Sequence, residues 1–540
     1  MVWRPEELQR VIGAARFISL AIAALVILLS IPRQGLPQPV LPMSTPVILY
    51  VDPQDTPPPS STVGSREAPF VRLQDALNYA QEHPDLPHEI RLGPGIYREE
   101  LNLQGQTNVA MAPLTIRAIT PGTVILSGAE PWQDWRQDMA GTTPTSALFV
   151  HPWPYDWGFS GNPWTEFDIE LAEIVQRGEM VWQDSKLVQQ YLSLEALSQG
   201  TTVMGFYVDE EGDRLYLRLP LGMDPATAHL EVTTQDRGMV IDQMQNVTLE
   251  GLRFEHYGGT FTAALVIRNA KNIRIQNCTF AENNWGGLAV NHSQQVQIHH
   301  SQFRHNGLRG LGGWRIQDLT VQDVETRENN WRGAWGEFYD WDAGEKFFYL
   351  RRAHFDHYRA IANQATGLWL DTDNQEVLVE NSQLNDNKVG GLFLEASAGP
   401  ITVQNCIIAN NHQVAPNYLQ TPGVFGWAAQ NVTLKNNVII DNDFAQVGVR
   451  DLSDRQITVP ETGETQTLVS QDWHLENNWI LSTQANSFLL ITLNAQPFLD
   501  TLKERNNYWF SPGDRPIRIE DQSLTLSDWQ NQVSLDSLAN

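Results

Sequence analysis

Two carboxylates occupy matching places in a repeated phrase of this chain. Asp371 closes Gly367-Leu-Trp-Leu-Asp371, and Glu395 closes Gly391-Leu-Phe-Leu-Glu395, 24 residues later (395 − 371 = 24). If the backbone coils in stacked rungs of parallel strand, one 24-residue turn sets the two acids on neighbouring strands, roughly 4.8 Å apart along the stack. Like charges directly opposite each other on adjacent strands are destabilising, so the arrangement asks for a chemical reason. Carboxyl groups about 5 to 5.5 Å apart suit retaining hydrolysis of a glycosidic bond, whereas inversion needs roughly 6.5 to 9.5 Å to admit a water. The plain structural reading is that each acid opens a solvated turn, Asp371-Thr-Asp-Asn374 in one case and Glu395-Ala-Ser-Ala-Gly-Pro400 in the other.

A coil of that kind is what the rest of the chain predicts. The loose phrase x-Val-x-Val-x-Asn-x-x-Phe/Ile starts at Asn246, Asn272, Gln295, Asp318, Arg352, Glu376, Pro400, Asn431 and Asp472, in steps of 26, 23, 23, 34, 24, 24, 31 and 41. A core period of 23 to 26 describes a solenoid, and the longer steps mark loops inserted between rungs. Recurrent asparagines at the turns, Asn277, Asn381, Asn405, Asn436 and Asn477, fit stacked amide ladders at the bends. Upstream, residues 47–51 read as a strand and 69–80 as a helix by apolar spacing. Rungs begin near 114–118 and 124–128 and then pause. Hairpin-like text at 179–188 and 206–219 marks residues 132–236 as an inserted β-rich subdomain. Its Trp153, Trp157 and Trp164 are either packing residues or one wall of a cleft.

Several side chains accompany the pair. Asn291, at the end of Gly286-Gly-Leu-Ala-Val-Asn291, and the small residues of Gly310-Leu-Gly-Gly-Trp314 put an amide and then open space on the same face as the acids. The 34-residue step contains a loop carrying Trp335, Glu337, Asp340, Trp341 and Asp342, whose indoles suit stacking on a pyranose and whose acids suit sugar hydroxyls. Trp285, Trp314, Trp331 and Trp369 are further stacking candidates. Lys346 falls near the position one rung before Asp371, and a one-residue slip would reverse its face. Asp373 shares a face with Asp371 if the strand continues. No cofactor motif is present; Asp371, Asp373 and Glu376 would offer oxygen ligands to calcium, without a spacing that requires a metal.

With 36 Lys+Arg against 63 Asp+Glu the net charge is −27, which argues against nucleic acid and, without a local basic cleft, against polyanionic glycans. A neutral poly- or oligosaccharide is the expected partner. Cys278 and Cys406 sit in the matching phrases Gln-Asn-Cys-Thr-Phe and Gln-Asn-Cys-Ile-Ile five rungs apart, too far for a disulfide, and are expected to be buried and free. The apolar run 17–31 follows Arg4, Arg10 and Arg16, and no small-residue cleavage site follows it. Residues 1–32 are therefore expected to be a cytoplasmic tip and membrane-spanning helix, with a cleaved signal and secretion as the alternative. The expected order is then a Pro-rich linker (33–46), an N-terminal cap with the first rungs (47–131), the insertion (132–236) and the main coil with its tail (237–540), all outside the cytoplasm.

The order strand, helix with an Ala-Leu pair, then Leu92-Gly-Pro-Gly-Ile-Tyr97 resembles the N-terminal cap of the pectate-lyase-like superfamily. That resemblance implies an all-β, right-handed parallel β-helix solenoid with an N-terminal helical cap. The two carboxylate phrases, with the Trp-rich text ending Ala343-Gly-Glu-Lys-Phe347, look like those of β-helix glycoside hydrolases of β-xylosidase type. The likeness implies that Asp371 is the nucleophile and Glu395 the acid/base. The surroundings agree: Asn374 and Lys346 would favour an ionised Asp371, while the apolar phrase around Glu395 and a charged Asp371 beside it would raise the pKa of Glu395. Two other classes remain open: a polysaccharide lyase acting on a uronate-containing polymer, against which the chain shows no obvious basic rung, and a non-catalytic, membrane-anchored carbohydrate-binding solenoid.

Overall fold

The computed structural model describes residues 45–54, 63–106, 111–139, 141–167, 170–200, 204–333, 345–412, 422–451 and 455–531. The apolar run at 17–31 and most of the proline spacer lie outside the described residues, as do Trp335, Glu337, Asp340, Trp341 and Asp342. Among the described residues no helix is long and apolar enough to cross a membrane.

Alternation of apolar and polar residues over short strands forces one face of each strand inward, and three such strands per turn close a parallel coil. Along one face Val247, Ile273, Val296, Leu319, Ala353, Val377, Ile401, Val432 and Trp473 stand in register. Their spacings reproduce the steps of 26, 23, 23, 34, 24, 24, 31 and 41 read from the sequence. A further face stacks Phe254, Phe280 and Phe303 in register, with ring centroids 4.9 and 4.8 Å apart. These rings are fully buried, which is worth about 1.5 to 3 kcal/mol for each side chain taken from water. The third face carries strands Gly286–His299, Arg309–Gln322, Lys346–Phe348, Leu368–Asp371, Leu392–Glu395 and Val424–Trp427, the first two running on around the corner into the neighbouring face.

Between faces the chain turns through single left-handed residues. Asn246, Asn272, Asn277, Asn381, Asn405, Asn431, Asn436 and Asn477 all have φ between 52° and 59°, the conformation that asparagine tolerates better than most side chains. Part of the expected ladder is present there, with Asn436 donating to Asn405 at 3.2 Å and Asn405 to Asn381 at 3.5 Å. The continuous ladder lies elsewhere and is buried. Asn283, Asn306, Asn329, Asn363, Asn387 and Asn411 each pass one Nδ2–H to the amide oxygen of the asparagine one rung on, and Asn442, the last of them, donates to Gln446 Oε1 only four residues on. Each also donates to a carbonyl of the preceding rung's strand, such as Phe303 O for Asn329. Cys278 and Cys406 are buried and free.

The first rung is closed by helix Leu73–Glu82, which buries Leu73, Ala76, Leu77 and Ala80. Glu99 accepts from the backbone N–H groups of Leu73 and Gln74 at 2.7 and 3.2 Å, satisfying donors left open at the helix start. Strands between Ala129 and Thr233 pair antiparallel in two four-stranded sheets. One joins Ala129–Pro131, Leu230–Thr233, Val181–Gln183 and Lys186–Leu187; the other joins Arg136–Asp138, Ser146–Pro152, Arg214–Pro220 and Gly205–Asp209. Trp153 is buried in the core of these sheets and Trp157 packs against it.

Asn363 stands mid-ladder, so Asn363→Ala strands polar groups on both neighbouring rungs. The expected cost is on the order of 2 kcal/mol, read as a lower denaturation midpoint, with the far-ultraviolet spectrum of the native state unchanged.

Candidate functional site

The third face delivers one residue per rung to a fixed column. Asn291 pairs with Trp314, Trp314 with Phe348, Phe348 with Asp371, and Glu395 with Trp427. Leu370 pairs with Leu394, so Asp371 and Glu395 follow as the next residues of adjacent strands. The backbone confirms the step, because Thr372 N donates to Glu395 O at 3.1 Å. Two residues earlier in each strand runs a companion column on the same side, in which Lys346 pairs with Trp369 and Trp369 with Phe393.

Both acids are nearly inaccessible, Asp371 at 6% and Glu395 at 4% exposure. Their partners differ. Lys346 Nζ lies 2.9 Å from Asp371 Oδ2, and Thr372 Oγ1 donates to Asp371 Oδ1 at 2.7 Å. Lys346 Nζ also stands 3.5 Å from the centroid of the Trp369 ring, a cation–π contact out of water. Glu395 Oε2 accepts from Trp369 Nε1 at 3.0 Å, and Oε1 accepts from Arg455 Nη2 at 2.7 Å. Burial and then the Asp371 charge push the Glu395 carboxyl up to about 8, against the opposing pull of Lys346, Arg455 and the Trp369 donor.

The residues expected at the site divide in three. Asn291, Lys346, Asp371 and Glu395 line one cavity of about 490 Å³. Trp369 is fully buried, stacks on Phe393 at 4.7 Å and offers no face to a ligand; it positions Glu395 instead. Asp373 is turned away, because the strand ends at Asp371 and both Thr372 and Asp373 are left-handed, with φ of 48° and 53°. Its carboxylate is fully buried against Arg351 Nη2 at 2.6 Å, and Arg351 in turn reaches Glu461 at 2.8 Å. Asn374 does not touch the Asp371 carboxylate either, since its Nδ2 donates to the Asp371 carbonyl at 2.8 Å. No group of three or more His, Cys, Asp or Glu among the described residues could hold a metal, so Asp371, Asp373 and Glu376 do not form one.

Other members of the cavity are Trp164, Arg309, Trp314, Trp427 and Arg455. Trp164 comes from the inserted segment, and Trp314, 38% exposed, presents the open indole that Trp369 does not. Three cations, Arg309, Lys346 and Arg455, reach this cavity, which corrects the expectation that no basic rung exists. Arg455 starts an antiparallel hairpin, Arg455–Thr458 with Thr465–Leu468, in the 41-residue step between rungs. Periodicity gives no signal for it. A second cavity of about 560 Å³ lies against the inserted sheets and includes neither acid.

Glu345, immediately before Lys346, is a further buried acid. Its carboxylate accepts from Gly310 N at 3.1 Å, from Leu311 N and from Asn329 Nδ2 at 3.1 Å, while burial raises its pKa to about 7. Carboxyls whose native pKa is raised stabilise the fold while protonated and lose that contribution as pH rises through the native value. The unfolding midpoint is therefore expected to fall between about pH 5 and pH 8.5, with a shallower fall in both Glu345→Gln and Glu395→Gln, measured by calorimetry across that range.

Residues 229–325 and 263–424 match the family described as right handed beta helix region. No curated protein matches the chain. A solved structure described as XylC in complex with xylose is 14% identical, with a TM-score of 0.57 over 81% of this chain and 76% of that one. The A-module of the mannuronan C-5 epimerase AlgE4 from Azotobacter vinelandii is 13% identical over 84% of this chain and 92% of that one, with a TM-score of 0.46. The periplasmic alginate epimerase AlgG is 11% identical over 82% and 84%, with a TM-score of 0.43. The in-register stacking, the family match and the first of these likenesses together establish the fold as a right-handed parallel β-helix.

Proposed function

We propose that the protein is a retaining glycoside hydrolase acting on a neutral glycan, with Asp371 as nucleophile and Glu395 as general acid/base. The observation that carries the reading is the contrast within the pair: on adjacent rungs, Asp371 is the anionic partner of Lys346, while the Glu395 carboxyl is raised to about 8. A retaining mechanism needs that division of labour. In the first step an oxygen of Asp371 bonds to the anomeric carbon, the bond from that carbon to the leaving oxygen breaks, and the Glu395 proton passes to the leaving oxygen. In the second, the Glu395 carboxylate takes a proton from water, the water oxygen bonds to the anomeric carbon, and Asp371 is released. Trp369 and Arg455 hold Glu395 in place, and Trp314 offers a stacking surface at the mouth.

The cations at the cavity favour a second reading, cleavage of a uronate-containing polymer by β-elimination, in which Lys346 or Arg455 would meet the substrate carboxylate. Both are already paired with Asp371 and Glu395, which is why hydrolysis is preferred. Reducing ends without absorbance of unsaturated product, from a panel including xylosides, distinguish the two.

Asp371→Asn is expected to abolish covalent labelling by a slow-reacting fluoroglycoside. Glu395→Gln is expected to accumulate the labelled form and to recover turnover with azide on substrates with good leaving groups. An inverted product anomer, or both variants hydrolysing at the wild-type rate, refutes the assignment. The wild-type rate should fall as pH rises through about 8, and Arg455→Ala should move that limb upward, because Arg455 lowers the Glu395 pKa. Trp369→Phe removes one donor to the acid and is expected to slow turnover by about two- to tenfold, the worth of a hydrogen bond to a neutral carboxyl.

A further inference from the structure

The larger cavity lies where the inserted sheet meets the coil, and its floor is a closed polar network. Arg332 donates to Asn284 Oδ1, to Ile174 O at 2.9 Å, to Gln190 Oε1 at 3.0 Å and to Glu179 O at 3.3 Å. Glu179, fully buried, meets Arg177 at 3.2 Å and Gln190 Nε2 at 3.0 Å. Those contacts occupy four of the five guanidinium N–H groups of Arg332, and the Glu179 carboxylate beside it is already paired with Arg177, so the floor keeps little free donor capacity for an incoming anion. Around it stand the part-exposed apolar side chains of Ile174 and Leu187 and the polar side chains of Gln183, Lys186 and Gln189. A volume of about 560 Å³ is that of a ligand pocket, and apolar walls with planar amides at the rim match the C–H faces and hydroxyls of a sugar.

Position connects this cavity to the carboxylates. Trp164, which lines the catalytic cavity, and Ile174, which lines this one, pack in one apolar cluster with Trp285 and Leu308. Both cavities thus border one apolar cluster to which the inserted segment and the coil each contribute. We infer that the cavity at Gln183, Lys186, Leu187 and Gln189 is a distal binding site for a neutral oligosaccharide, gripping the same chain that is cut at Asp371 and Glu395. The inference rests on the proposed glycan substrate and makes that substrate an oligomer rather than a single glycoside.

The test uses the full-length protein with Asp371→Asn, so that glycans bind without being consumed. Xylo-, cello-, manno- and laminarihexaose are titrated calorimetrically, with oligogalacturonate and oligomannuronate hexamers as acidic probes. At least one neutral hexaose is expected to bind and to slow amide exchange across residues 181–190. Adding Leu187→Trp, which fills the cavity, should weaken that binding by about tenfold or more, equivalent to 1.4 kcal/mol. The double change Lys186→Ala/Gln189→Ala at the rim should weaken it in the same direction, and decides the matter if Leu187→Trp fails to fold. No binding by any neutral hexaose, binding by acidic hexamers alone, exchange unchanged at 181–190, or undiminished affinity in the folded variants overturns the inference. Hydrolysis of nitrophenyl glycosides by the wild-type protein is measured separately; its absence counts against the carboxylate assignment, while the hexaose titrations judge the distal cavity.

Discussion

Hydrogen bonding between consecutive rungs fixes where every outward side chain stands. Parallel strands must keep their register, since a shift of one residue would turn the buried set toward solvent. A residue's neighbours above and below are therefore set by the lengths of two turns. Asp371 and Glu395 face each other because both turns between them keep the core period, and because strands Leu368–Asp371 and Leu392–Glu395 end at equivalent places. The repulsion this creates is balanced locally: an ammonium on one acid, and a guanidinium and an indole N–H on the other. Since burial makes an unpaired charge costly, these partners are requirements of the stack as much as aids to chemistry.

The same register explains why much of the molecule was legible. Inward apolar residues, mostly Val, Ile and Leu, recur at each rung, so the repeat steps could be read directly, and the two five-residue carboxylate phrases share Gly and both Leu residues. Lys346 was legible despite an error of alignment. It pairs with Trp369 rather than with Asp371, an offset of two residues, and the two-residue period of a strand returns it to the expected face. Asp373 failed for the complementary reason: alternation applies only while the strand lasts, and two left-handed residues end it. Trp369 serves Glu395 and not a ligand because an indole has two uses, a face for ligands and an N–H for partners, and sequence does not say which one burial leaves available.

Arg455 was not legible at all. It enters on an antiparallel hairpin, 60 residues from Glu395 in the chain, and owes nothing to the repeat. The buried asparagine ladder, by contrast, carried a signal that could have been used. Asn283, Asn306, Asn329, Asn363, Asn387, Asn411 and Asn442 are spaced 23, 23, 34, 24, 24 and 31, the same steps as the strands.

The hairpin that brings Arg455 also carries Glu461, which meets Arg351 and through it Asp373. It thus touches the rungs of both acids while belonging to neither. The position of the acids is the property of a rigid column shared by the whole coil; their electrostatic surroundings belong to an excursion whose length the column does not constrain. Sequence drift in that excursion can retune acidity and reach while the spacing of the pair stays constant, so the two properties are free to evolve at different rates.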